Sequence, residues 1–182
     1  MGDLREVLDR LTPVGAAERE DLWLVRRAAG GPDPWSRHTP LHATASALVL
    51  HPPTGRVLLR WHTRLHGWYQ VGGHGDPGET DPAAITLREA REETGLEDLR
   101  FWPDDADPLP VHVVVVNVPA GTGEPAHRHG DLRYVLATGD PGAVRAEHDG
   151  ADLRWLTIAE ATALVEEENL RETLRRAAAV MT

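Results

Sequence analysis

Between Gly72 and Leu96 the chain reads GGHGDPGETDPAAITLREAREETGL, and this stretch limits what the rest can fold into. It demands a tight glycine turn leading into one well-marked helix. Asp81 is a natural N-cap, and Pro82 suits the first helical position, where an N–H would have no partner. Gly95 supplies the left-handed C-terminal cap. Between these ends Ala83, Leu87, Ala90 and Thr94 fall on one small, apolar stripe that must face a core. Glu89, Glu92 and Glu93 share a different face, because residues three and four apart are neighbours on a helix. Like charges held together repel, so this spacing points to a positive partner. A hard divalent cation, Mg²⁺ or Mn²⁺, fits, since it takes carboxylate oxygens and bridges to phosphates.

These residues resemble a known signature. Gly73, five residues, Glu79, and then Arg88-Glu89-Ala90-Arg91-Glu92-Glu93-Thr94-Gly95-Leu96 is similar to the Nudix box of hydrolases that cut nucleoside diphosphates linked to another moiety. The pattern has seven residues between its first Glu and its Arg, whereas eight separate Glu79 from Arg88 here. The extra residue falls where the loop meets the helix. It leaves the register from Arg88 to Leu96 intact, but the helix-supporting role of Glu79 is not carried over. The resemblance covers roughly residues 42–166 and implies an α/β/α sandwich with a mixed sheet.

The chemistry implied is attack of water on a phosphorus of a diphosphate bond. Glu92 and Glu93 are the expected main metal ligands, with Glu89 a further ligand or the general base. The resemblance adds the backbone carbonyl of Gly72 as a ligand. Arg88 is expected to orient a box carboxylate through a bidentate pair. Some proteins of this fold bind nucleotides without cutting them, so a non-catalytic nucleotide-binding module is the alternative.

Composition narrows the setting. The 182 residues fit one domain of ordinary size, and 41% hydrophobic content with six Trp supports a proper core. A formal charge of −10 argues against nucleic-acid binding, which needs a basic face. All nineteen basic residues are Arg. The absence of Cys excludes disulfides, thiolate zinc sites and a Cys nucleophile. No apolar run is long enough to span a bilayer and no signal-peptide pattern is visible, so a cytoplasmic protein acting on a small nucleotide is expected.

Along the chain, residues 3–12 and 16–29 have helical periodicity and are separated by Pro13 and Gly15. They form an N-terminal helical extension over residues 1–40, which either packs on the Nudix domain at 41–182 or helps form a homodimer. Strands are expected at 43–50, 56–61, 68–71, 99–102, 111–118, 131–138 and 151–156. The valine run at 111–118 implies burial on both faces. Residues 121–130 read as a loop, and helices close the chain at 158–168 and 170–181.

A second constellation involves histidine. His42 precedes the first core strand and His74 follows the box glycines, while His127, His129 and Asp131 alternate and so point one way on an extended segment. Imidazoles plus a carboxylate suit a borderline transition metal such as Mn²⁺ or Zn²⁺. Here the chain resembles isopentenyl diphosphate isomerase, a Nudix-fold relative with a His-rich metal site. That enzyme needs an active-site Cys, which this chain lacks. Isomerase-like chemistry on isoprenoid diphosphates is therefore the weakest reading, although the metal site stands as an expectation. His38, His51, His62, His66, His112 and His148 have no supporting spacing. Glu147, before the last strand, is a candidate extra base. Arg60 and Arg64 flank the box and are candidate substrate-binding residues, whereas Trp61, Trp68 and Tyr69 read first as packing residues.

Overall fold

The computed structural model describes residues 2–121 and 123–181. Two helices, α1 (Leu4–Asp9) and α2 (Gly15–Ala29), precede a hairpin of β1 (Leu41–His51) and β2 (Arg56–His62). Short strands β3 (Gly67–Tyr69) and β4 (Val71–Gly73) lead into helix α3 (Pro82–Thr94). Then come β5 (Arg100–Phe101), β6 (His112–Val118), β7 (His127–Ala137) and β8 (Leu153–Thr157), followed by α4 (Ile158–Leu164) and α5 (Glu168–Met181).

The sheet is mixed. Its main path runs β3-β2-β1-β7-β5, with β4 on β1, β6 on β7 and β8 on β2. β1 and β7 are parallel, and the other pairs are antiparallel. β1 is central and alternates between two cores. Ala43, Ala45, Ala47 and Val49 pack with α1, α2 and α3, whereas Leu48 and Leu50 pack with α4 and α5. This is the α/β/α sandwich expected, and the N-terminal helices share its larger core.

Four elements differ from the sequence expectation. The strand expected over 68–71 is two, β3 pairing with β2 and β4 with β1, broken at Gln70. β7 begins at His127 rather than Asp131, because pairing with β1 sets Arg128 opposite Leu41 and His129 opposite His42. Gly130 marks close packing rather than a loop, since a Cβ there would come within 2.7 Å of Val25 on α2. β6 is buried only over His112–Val114, and its outer half is more exposed because it borders a cleft. The helix expected over 158–168 ends at Leu164, with Val165 already extended.

Candidate functional site

Helix α3 is capped as its sequence requires. Asp81 accepts from Ala83 N at 3.0 Å, and Gly95 adopts φ 67°. Ala83 and Ala90 face the core together with Ile85 and Thr86, so the buried stripe is wider than spacing alone suggests. Glu93 sits at its edge, only 9% exposed. Its Oε2 accepts from Gly72 N at 2.9 Å, and its Oε1 pairs with Arg60 at 3.1 Å. Gly72 must be glycine, because a Cβ at its φ of 136° would sit 2.4 Å from the Ser46 Cα. Gly73 is less constrained, but a Cβ there would meet Glu89 Oε2 at 2.7 Å and push that carboxylate aside. The glycine turn is thus the floor on which two box carboxylates rest.

Arg88 gathers the rest. Its Nη1 donates to Glu89 and Glu92, each at 3.0 Å. Its bidentate pair is with Glu79, Nε to Oε1 at 3.1 Å and Nη2 to Oε2 at 2.8 Å. Nη2 also donates to the His74 carbonyl at 2.9 Å. Glu79 therefore reaches the helix despite the longer loop, and the carboxylate that Arg88 grips bidentately is this one. The loop before Glu79 closes on itself, with Asp76 N donating to Glu79 Oε2 at 2.7 Å.

The electrostatics follow from crowding and burial. Asp76, Glu79, Glu89 and Glu92 share Arg88, while Glu93 and Glu147 share Arg60. Burial pushes the Glu93 carboxyl up to about 7 and raises Glu89 as well, each opposed by its arginine. Glu79 moves down, because Arg88 hydrogen-bonds its charged form. Arg60 is thus engaged with carboxylates rather than open to solvent. Glu147, half exposed, stands 3.3 Å from Arg60 and adds its charge to the field at Glu93. Arg64 lies apart, paired with Glu124 at 3.1 Å.

Beside the box lies a cleft of about 340 Å³. Gly72, Gly73 and His74 form part of its wall, and a polar ladder from β1 and β7 forms its floor. Paired residues on the two strands give His42 beside His129, Thr44 beside Asp131 and Ser46 beside Arg133. Asp131 is spent within this ladder. It accepts from Thr44 at 3.0 Å, Ser46 at 2.9 Å, Gln70 at 3.2 Å and Arg133 at 2.9 Å. The expected grouping of Asp131 with the histidines therefore does not form. Arg133, 2% exposed, also reaches Asn169 and Thr173. Thr44, Ser46 and Arg133 were not singled out from the sequence. Their alternation with His42 and Asp131 is the period-2 signal that marks one strand face.

The histidines do meet. Ligand atoms of His42, His74 and His129 all lie within 4.8 Å of one another. His127 stacks on His42 with ring centroids 5.2 Å apart. Burial depresses His74 to about 3 and His129 to about 4, and lowers His42 too, so these three rings are neutral near pH 7.

A NUDIX domain profile matches residues 40–177. The chain belongs to the NUDIX domain family. Pyrophosphohydrolase activity is the general class of this Nudix chain. Its fold resembles an Ap4A hydrolase from C. elegans (TM-score 0.59, 20% identity, covering 75% of this chain and 95% of that one). It also resembles the E. coli dihydroneopterin triphosphate pyrophosphohydrolase (TM-score 0.60, 16% identity, 75% and 94%). A NUDIX-family hydrolase from Clostridium perfringens is similar as well (TM-score 0.56, 23% identity, 77% and 95%). No curated protein sequence matches this Nudix chain. Among the described residues no helix is long and apolar enough to cross a membrane.

Proposed function

We propose that this Nudix chain is a metal-dependent hydrolase that cleaves a diphosphate bond in a nucleoside diphosphate linked to another moiety. The observation that carries this reading is the meeting of Glu89 and Glu93 over the Gly72–Gly73 floor, beside the cleft. Six carboxylates there share two guanidiniums, and the Glu93 carboxyl is held near 7 by burial. Excess negative charge in an oxygen-rich cradle, with Glu93 buried and Glu89 half-buried, fits Mg²⁺ or Mn²⁺.

Glu89, Glu92 and Glu93 would hold the ion, together with the Gly72 carbonyl that the family resemblance implies. When bound, such an ion neutralises phosphate oxygens and lowers the pKa of a coordinated water. The chain's own residues do the rest. Glu79 fixes Arg88, and Arg88 fixes Glu89 and Glu92 in one orientation. Arg60 restrains Glu93 and Glu147; Glu89, or Glu147 as an extra base, would accept a proton from the attacking water. The cleft with its polar floor would take the substrate's remaining groups, and Arg64, which lines it, would have to turn from Glu124 to meet phosphate.

The test is a substrate panel with Mg²⁺ or Mn²⁺, reading released products by mass. The names of two similar structures make dinucleoside polyphosphates and pterin triphosphates useful members. Product from at least one phosphoanhydride, abolished by chelator, supports the proposal. Ligands that raise the melting temperature with Mg²⁺ present, with no product from any compound, would instead indicate a binding module.

A further inference from the structure

The histidine cluster is built from three segments that the box chemistry does not require to meet. His42 opens β1, His74 follows β4, and His127 and His129 open β7. Parallel pairing sets His42 beside His129, while β4 runs antiparallel to β1, so the chain leaving Gly73 is carried toward His42. The result is compact. His42 Nε2 lies 3.1 Å from His74 Nε2, and His127 Nε2 lies 3.1 Å from His129 Nε2. Ring centroids of the three ligating histidines are 4.7–5.1 Å apart.

The rings are held so that nitrogen lone pairs converge. A carbonyl oxygen only accepts, so His42 Nδ1, 3.0 Å from the Thr39 carbonyl, carries the proton and leaves its Nε2 as the lone pair facing the cluster. His127 Nδ1 is likewise committed to the Pro125 carbonyl at 2.9 Å, so its Nε2 is the nitrogen turned inward. Backbone carbonyls that fix the outer nitrogen are a usual support for metal-binding imidazoles. Two imidazole nitrogens 3.1 Å apart can share only one proton, so each close pair leaves a lone pair directed at its neighbour. Asp131 is not an alternative partner, because it is spent on Thr44, Ser46, Gln70 and Arg133, and Glu124 at the nearby opening is paired with Arg64.

We propose that His42, His74 and His129, with His127 at a fourth position, form a site for a borderline divalent transition ion of the Zn²⁺ class, separate from the box carboxylates. All-nitrogen donors suit Zn²⁺, Co²⁺ or Ni²⁺ and are poor for Mg²⁺, which takes oxygens. The size also fits. Tetrahedral Zn–N bonds of about 2.0–2.1 Å place ligand nitrogens roughly 3.3 Å apart, within reach of the present spacing after small ring rotations. A route for the ion exists, because His74 and His129 form the wall between the main cleft and a second opening lined by Arg37, Arg64, Glu124 and His127. Occupancy has a structural consequence. His74 supplies the carbonyl that Arg88 grips, so an ion on its ring would also fix the turn that orders the box.

The proposal rests on none of the box carboxylates, and its test separates the two sites. The full-length protein is stripped with chelator and titrated with Co²⁺ alone, following visible absorption, bound metal after gel filtration, and melting temperature. Wild type and a Glu92→Gln/Glu93→Gln variant should each retain about one Co²⁺ per chain with a tetrahedral spectrum. His74→Asn and His129→Gln, conservative enough to keep the fold, should bind at least about tenfold more weakly and lose the metal-induced rise in melting temperature. Exposed His148→Ala should bind as wild type does. Equal Co²⁺ retention in wild type and both histidine variants would overturn the proposal. So would loss of the ion on changing the glutamates alone, or a wild type that retains none.

Discussion

The box carboxylates and the imidazole cluster flank one peptide step, Gly73–His74, and are made of opposite materials. One side is a crowd of carboxylates restrained by Arg88 and Arg60. The other is a group of imidazoles, three of them neutral near pH 7, with no carboxylate among them. The contrast is the basis for proposing two kinds of cation on one turn. Oxygen donors with excess charge suit a hard ion, and converging lone pairs suit a borderline one. Arg88 links the two sides, since it holds Glu79, Glu89 and Glu92 while gripping the His74 carbonyl.

The largest effect that would break this contrast is on catalysis. Glu93→Gln should lower kcat on the order of a hundredfold or more, the size of losing one preorganised electrostatic contact, with little change in Co²⁺ binding at the histidines. Steady-state kinetics beside the metal titration reads both. Next comes Asp131→Ala, which leaves Arg133 buried without its partner. A loss of roughly 3–5 kcal/mol is expected in urea unfolding, because an orphaned buried charge is costly. In protein that remains folded, Co²⁺ retention should be unchanged, since Asp131 stands outside the ligand set.

Glu79→Gln should cost about 10–100-fold in kcat/KM, the range for residues that orient metal ligands. An effect below twofold would show that the longer loop has made Glu79 dispensable. The pH response is smaller and more diagnostic. Glu93 is raised to about 7 from 4.5, so in metal-free protein it lowers stability as pH rises through that window. His112 is depressed to about 4 from 6.5 by burial, so it raises stability as pH rises from 4 to 6.5. His74 and His129 have the same sign as His112. Glu93→Gln should therefore gain more stability than wild type between pH 5 and 7, by up to about 1.4 kcal/mol per unit. Equal slopes for the two proteins in urea unfolding would contradict the raised Glu93.

Much of this was legible because it is local. The caps Asp81 and Gly95, the glutamate face of α3 and the alternation of His127 with His129 depend on spacing within one element. What escaped depends on pairing between distant segments. Gly130 looks like a loop signal until α2 is seen packed against it, and β7 extends to His127 only because β1 is its parallel neighbour. Asp131 and His129 share a strand face, yet the side chains of Thr44, Ser46 and Gln70 decide that Asp131 joins a buried network instead. Glu79 escaped for another reason. A count of residues cannot show that the loop closes through Asp76 N and returns the carboxylate to Arg88.

The box glutamates are proposed to carry phosphoanhydride hydrolysis. The most direct test compares wild type with Glu92→Gln/Glu93→Gln on the same panel with Mg²⁺, reading products by mass and the fold by circular dichroism. Wild type should give product from at least one compound, and a double variant that remains folded should give none. Full turnover by that folded variant would contradict the proposal.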